Sequence, residues 1–366
     1  MSDDYVEVDF GAGLRRLPRW QQVLDLTPHR DGLVPAEGPV DWSQLDLLPG
    51  CLTVDWAGPQ RGVVEAIARH PTIRFLYWRD AVGDVDLRST NLGTVQFEGP
   101  GLGNVRLPES VETLLLLDPP AAPQVEAPDE GHGLDLRYFQ SGSEVLVPDG
   151  LRRTRTLWLR VGGTVSAAAL SHLTDLEQLI ITFDDPPGTL TELSELRWHD
   201  RLRTLRLDDA FGLDSEGLPD LPGLRRLELS GTRRTTAAVV KGRYKGSGVT
   251  VSVSGAKGES WLAEHMDNPF RDWIEDSKGF GRAAAGAYAR ARRAVEAIVP
   301  ETPGALAAAE QGLRGLVADL SSINDKYELI DTLYREQAWD AFRALAARLQ
   351  VPEQQAEEWF DSGRRF

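Results

Sequence analysis

Between residues 50 and 253 the apolar side chains fall into one repeated hexamer, apolar at its first, fourth and sixth positions and mostly polar between them. LEQLII (176–181), LRTLRL (202–207) and LRRLEL (224–229) show it most plainly. CLTVDW (51–56), IRFLYW (73–78), LGTVQF (92–97), VETLLL (111–116) and TRTLWL (154–159) share the frame, and weaker copies end at Leu136 and Val251. Taking the fourth position as a ruler gives Val54, Leu76, Val95, Leu114, Leu134, Leu157, Leu179, Leu205, Leu227 and Val249, spaced 19 to 26 residues apart. Alternation at period two is a strand signal, and strands recurring at this interval predict a solenoid of ten coils. Each coil would add one short strand to a parallel sheet and turn positions 1, 4 and 6 into a shared core. One coil cannot bury these side chains, whereas stacking does. The triplets VDL (85–87) and VRL (105–107) halve the period. They predict short coils with an extended back on the convex side, while longer coils place a helix there, as over residues 62–70.

Both flanks break the pattern. Residues 1–50 hold Trp20, Val23, Leu24, Leu26, Trp42, Leu45, Leu47 and Leu48 between Pro- and Gly-rich stretches. An uncovered first coil would leave its core facing water, so this segment is expected to cap the repeat region, 51–255. After Gly255 the apolar spacing changes to three and four, which predicts a helical domain over 256–366. Phe280, Ala284, Tyr288, Ala291, Val295 and Ile298 mark a first helix ending before Pro300. Leu306, Leu313, Val317 and Leu320 mark a second, after Thr302 and Pro303. A third, capped by Asn324 or Asp325, carries Leu329, Leu333, Ala338, Phe342, Leu345 and Leu349, and Pro352 opens a short fourth with Trp359 and Phe360. The aromatic stretch 261–276 reads as the joint before them.

Charge and cysteine content narrow the chemistry. The 366 residues carry 40 Lys+Arg against 56 Asp+Glu, a formal net charge of −16. Such a surface repels phosphate backbones and anionic lipid, which disfavours nucleic acid and membrane as partners and modestly favours basic proteins. No apolar run reaches the 18 or more residues of a membrane span, and the acidic start MSDDYVEVDF lacks a signal-peptide pattern. The single cysteine, Cys51, excludes a disulfide framework within the chain, so a reducing, cytoplasmic setting is expected. Five lysines among the 40 basic residues suggest a GC-rich, bacterial genome. Cys51 sits at a core position of the first hexamer and reads as a buried small hydrophobe rather than a nucleophile. His29, His70, His132, His172, His199 and His265 are scattered singly, without metal-ligand spacing. No phosphate-binding glycine loop and no GxSxG occurs. No residue set asks for catalysis, a metal or a cofactor.

The LxxLxL hexamers resemble the leucine-rich-repeat superfamily over residues 50–253. The stretches LPESVETLLL (107–116) and LPDLPGLRRLEL (218–229) are similar to the LP-containing short repeats of secreted bacterial effectors. The resemblance implies an α/β solenoid, a leucine-rich-repeat horseshoe with its parallel sheet on the concave face, followed here by an all-α bundle. The family's asparagine ladder is missing: no coil has Asn at the ninth position. Some such effectors end in a ubiquitin-ligase domain built on a catalytic cysteine, and residues 256–366 contain none, so that activity does not carry over.

What remains informative is the face between the core positions. Positions 3, 5 and 7 point outward, and they predict a partner-binding surface from Phe75, Tyr77, Arg79, Gln96, Leu115, Asp135, Arg137, Trp158, Arg160, Ile180, Arg206 and Glu228. Aromatic residues and arginine are the types enriched among interface anchors. A second feature is Arg225, Arg226, Arg233, Arg234, Lys241, Arg243 and Lys245 against the lone acid Glu228, read as an anion-binding or domain-docking patch. The leading expectation is therefore a non-enzymatic binder, a regulator, inhibitor or immunity-type protein that captures a partner by steric blockade, similar in logic to ribonuclease inhibitor. Two alternatives stand beside it. In one, the repeats target an effector helical domain whose polar cluster is Tyr327, Asp331, Tyr334, Arg335 and Glu336. In the other, the chain is a scaffold in a motility or envelope-associated assembly.

Overall fold

Every hexamer becomes a strand. The computed structural model describes residues 4–29, 32–120, 124–142, 145–258, 261–262, 266, 268–299 and 302–366; His265 and Pro300 lie outside them. A hairpin of β1 (Tyr5–Val8) and β2 (Arg15–Pro18) comes first. The strands β3 (Val23–Asp25), β4 (Thr53–Ala57) and β5 (Phe75–Arg79) then begin a parallel sheet. From there the chain alternates between that sheet and the back of the coil. β6 (Gly83–Asp86), β8 (Leu102–Arg106) and β10 (Gln124–Glu126) pair on the back, while β7 (Thr94–Glu98) and β9 (Thr113–Leu117) extend the main sheet. These back strands are where VDL and VRL were expected. β11 (Asp135–Phe139), β12 (Thr156–Val161), β14 (Gln178–Phe183), β16 (Thr204–Asp208), β17 (Arg226–Ser230) and β18 (Thr250–Ser254) complete an 11-stranded sheet, and β13 (Thr164–Ser166) pairs with β15 (Thr189–Thr191) separately. Helix α1 (Val63–Arg69) and helix α2 (Arg234–Arg243) form the backs of longer coils. This is the leucine-rich-repeat architecture, a stack of coils around one core.

The register links Val54, Leu76, Val95, Leu114, Leu136, Leu157, Leu179, Leu205, Leu227 and Val251 across the sheet. Two ruler positions therefore move, from Leu134 to Leu136 and from Val249 to Val251. In the first case Leu134, Leu136 and Tyr138 alternate, so the hexamer can be framed two ways; packing selects the frame that sinks Tyr138, 1% exposed, into the core. The sixth positions fill the core with rings at one end, Trp56, Trp78 and Phe97, and with aliphatic side chains at the other. Both indoles are satisfied: Trp56 Nε1 donates to the Pro59 carbonyl (2.9 Å) and Trp78 Nε1 to that of Gly58 (2.8 Å).

Residues 1–50, expected only to cap, also supply the first strand of the sheet. Val8, Phe10, Leu24, Leu26, Trp42, Leu45 and Leu48 join its core, while Trp20, Val23 and Leu47 stay exposed. Cys51 is buried and its Sγ lies 3.5 Å from the Thr53 carbonyl; burial pushes the thiol up to about 11.

The chain divides into two compact units, Met1–Ala256 and Lys257–Phe366. The second contains α3 (Lys278–Glu296), α4 (Ala305–Tyr327), α5 (Thr332–Arg348) and α6 (Glu353–Gly363) around a core of Phe280, Leu313, Val317, Phe342, Trp359 and Phe360, with Trp273 stacked on Phe280 at 5.0 Å. Asn324 and Asp325 lie within α4 rather than at a helix start. The cap of α5 is Asp331, whose carboxylate accepts from the Tyr334 N–H (3.0 Å). Leu306 and Leu333, expected in the core stripes, are 55% and 58% exposed.

Candidate partner-binding face

The strand alternation that buries positions 4 and 6 sends positions 3, 5 and 7 to the open face, and the register lines them up in rows across the sheet, with neighbours in a row about 4.8 Å apart. The central row runs Asp55, Tyr77, Gln96, Leu115, Arg137, Trp158, Ile180, Arg206, Glu228 and Ser252. One flanking row contains Phe75, Asp135 and Arg226 among threonines and Gln178. The other contains Arg79, Glu98, Leu117, Phe139, Arg160, Thr182 and Asp208. All twelve residues expected on this face are there, partly or fully exposed.

They do not form one uniform surface. Leu115, Leu117, Phe139, Trp158 and Ile180 are neighbours on β9, β11, β12 and β14 and make a contiguous apolar centre. Phe139 meets Trp158 edge-on at 5.7 Å, and the Arg137 guanidinium lies 5.5 Å from the Trp158 ring centroid. Arg137 is also paired with Asp135 at 3.2 Å. Phe139 was missed because the misplaced frame assigned no outward position to it; the aromatic pair Tyr138-Phe139 was the signal available. Phe75, Tyr77 and Arg79 form a smaller group on β5, separated from the centre by Gln96 and Glu98.

Towards β17 the face is laced with ion pairs: Arg160–Asp184 and Arg206–Asp208 at 2.9 Å, Arg226–Glu228 at 3.5 Å. Towards β3 it is acidic. Burial and the neighbouring Asp25 charge push the Asp55 carboxyl up, against the pull of Arg79. Burial raises Asp25 as well, but hydrogen bonds from Thr27 hold it below its ordinary value.

The basic window 225–245 is not brought together. Arg226 belongs to the open face of the sheet and Arg225 directly precedes β17, while the other five belong to α2 and its ends on the back of the coil. Arg233 Nε donates to the Phe211 carbonyl (2.8 Å), and Arg243 donates to the Leu218 carbonyl and pairs with Asp220 (2.8 Å). These two arginines tie α2 to the preceding coil. Arg234, Lys241 and Lys245 are exposed.

In the helical unit, Tyr327, Asp331, Tyr334, Arg335 and Glu336 do not make a polar interior. Tyr327 and Tyr334 pack against the Phe280 ring, and Asp331 is a helix cap. The Tyr334 hydroxyl donates to Asp276, which pushes its pKa up to about 12. Among the described residues, no helix is long and apolar enough to cross a membrane.

No protein-family model matches this chain, and no curated protein matches it significantly. Solved structures similar to it include the mouse RP105/MD-1 complex, at 14% identity and TM-score 0.35 over 67% of this chain and 49% of the matched one. Internalin C2 of Listeria monocytogenes is similar at 15% identity and TM-score 0.23 over 57% and 74% of the two chains. The LRIM1/APL1C complex is similar at 12% identity and TM-score 0.31 over 98% and 94%. The chain spans about half the length of the first of these.

Proposed function

We propose that this leucine-rich-repeat chain is a non-enzymatic protein-binding module that seizes its partner on the open face of the 11-stranded sheet. The observation that carries the reading is the apolar centre formed by Leu115, Leu117, Phe139, Trp158 and Ile180, each partly exposed in the middle of that face. Contiguous exposed apolar area of this kind marks binding surfaces, and a Trp–Arg pair at its middle has the composition of an energetic anchor. The ion pairs beside it leave Arg160, Arg206 and Arg226 locally neutralised, so they supply orientation and hydrogen bonds rather than net attraction.

Within that class we favour a regulator or inhibitor acting by blockade, with a basic partner steered by the net charge of −16. We place its action in the cytoplasm, a setting suited to a chain whose sole cysteine is buried as a thiol. The deciding experiment is affinity capture on wild type and on a Tyr77→Ala/Trp158→Ala double variant, with folding checked by circular dichroism. Truncation at an anchor should weaken the captured partner by about 30-fold or more. Equal recovery by both proteins would remove the open face as the binding site.

A further inference from the structure

The two ends of the main sheet are finished differently. At one end β3 is three residues long, carries Asp25 and is soon followed by Pro28, while Val8, Phe10 and Trp42 join the core beneath it. Short length, charge and proline are the means by which sheet edges are blunted. At the other end β18 is five residues, TVSVS, with no charge, no proline and no shift of register against β17. Its inward residues Val251 and Val253 are only half-buried, whereas the fourth- and sixth-position residues of every strand from β4 to β17 are at most 2% exposed.

Backbone parity determines what this edge offers. The Thr250 N–H donates to the Arg225 carbonyl (2.8 Å), and the Gly231 N–H donates to the Ser254 carbonyl (3.1 Å). The even-numbered residues of β18 thus spend their backbone groups on β17. Val251 and Val253 turn theirs to the outer edge, where no described strand pairs with β18.

We propose that β18 pairs antiparallel with β18 of a second copy of this chain, about a two-fold axis through Ser252. In this register Val251 lies opposite Val253 of the second copy, and Val253 opposite its Val251. Both pairs then fall on the position where opposed residues exchange N–H···O bonds in both directions, which is what the free groups require. Ser252 faces its own counterpart at the non-bonded position, and Thr250 faces Ser254. The strand is therefore self-complementary: valine meets valine on the core side and hydroxyl meets hydroxyl on the open side, with no like charge across the axis. An interface of this kind is isologous and closes at two copies. It merges the two cores and sets both binding faces on the same side of one continuous sheet. An edge of this length buries less than a standard interface, so association belongs in about the micromolar range. The inference stands independently of the proposed partner site, which lies on β9 to β14.

Sedimentation velocity on the full chain, from low to high micromolar concentration, tests it. Wild type should shift from monomer towards dimer. Ser252 is exposed, so Ser252→Lys and Ser252→Glu leave the fold intact while setting like charges on the axis, and each should dimerise at least tenfold more weakly. An equimolar mixture of the two variants should associate again, because only at the axis does residue 252 meet itself. Ser252→Cys should give a covalent dimer on oxidation, with buried Cys51 contributing none. A wild type that stays monomeric throughout, variants that associate as wild type does, or a mixture that stays apart would each overturn the proposal.

Discussion

At the scale of single residues, the open face and the core make opposite demands on neighbouring positions of one strand. Trp158 and Arg137 stand outward with a ring-to-cation contact, while Leu157 and Leu159 beside Trp158 are fully buried. His199 shows what the core does to an ionisable group. It is 2% exposed, its Nδ1 lies 3.0 Å from the Leu173 carbonyl, and burial holds its pKa below the ordinary imidazole value. The carbonyl accepts, so Nδ1 carries the proton of a neutral ring. In the unfolded chain the imidazole protonates near pH 6.5, while in the folded chain it stays neutral to lower pH. Below that pH the unfolded state binds more protons, so stability falls as pH falls, by up to about 1.4 kcal/mol per unit for each such histidine. Urea unfolding of the repeat unit should show a midpoint that drops as pH falls below about 6.5. His199→Gln should flatten that drop, and an unchanged slope in the variant would remove His199 as its source.

At the scale of elements, the repeat strands were legible because their side chains alternate and recur, and alternation is a local property of the chain. The frame slipped at Leu134 and Val249, where neighbouring apolar residues allow two readings. The helical unit was legible as stripes, but its boundaries depended on capping chemistry. Asn324 and Asp325 carry the right side chains for a cap, yet α4 runs through them, and Asn324 Oδ1 accepts from the Ile330 N–H (2.9 Å) in the turn that follows. Asp331 then starts α5. Replacing it with alanine frees the Tyr334 N–H and should cost about 1 kcal/mol, measured by chemical denaturation of the helical unit. Asp325→Ala, at a position inside α4, should cost clearly less.

At the scale of the whole molecule, two cores with no residue in common imply two cooperative units. Calorimetry of the full chain should resolve two transitions rather than one, and a substitution such as Phe342→Ala, which empties the helical core, should lower only one of them. The interaction surface is a property of this scale too. Leu115 and Ile180 are distant in sequence, and neither is notable alone; the shared register of β9, β11, β12 and β14 sets them on either side of Arg137 and Trp158.

The repeat period, the change of apolar spacing after Gly255 and the outward positions of the correctly framed coils were written in the sequence, because each follows from how apolar positions are spaced along the chain; Phe139, in a misframed coil, was not. Tertiary structure alone decided which frame each coil adopts, since whether Leu134 or Leu136 leads its strand, with Tyr138 buried behind it, is a contest between alternatives that local pattern cannot rank. It also decided that the basic window 225–245 is split between two sides of a coil, because charge counted along a chain ignores the turn that separates β17 from α2. And it showed the unequal ends of the sheet: hydrogen-bond parity, which turns the backbone groups of Val251 and Val253 to the outer edge, exists only once β18 has a neighbour on one side and, among the described residues, no strand on the other.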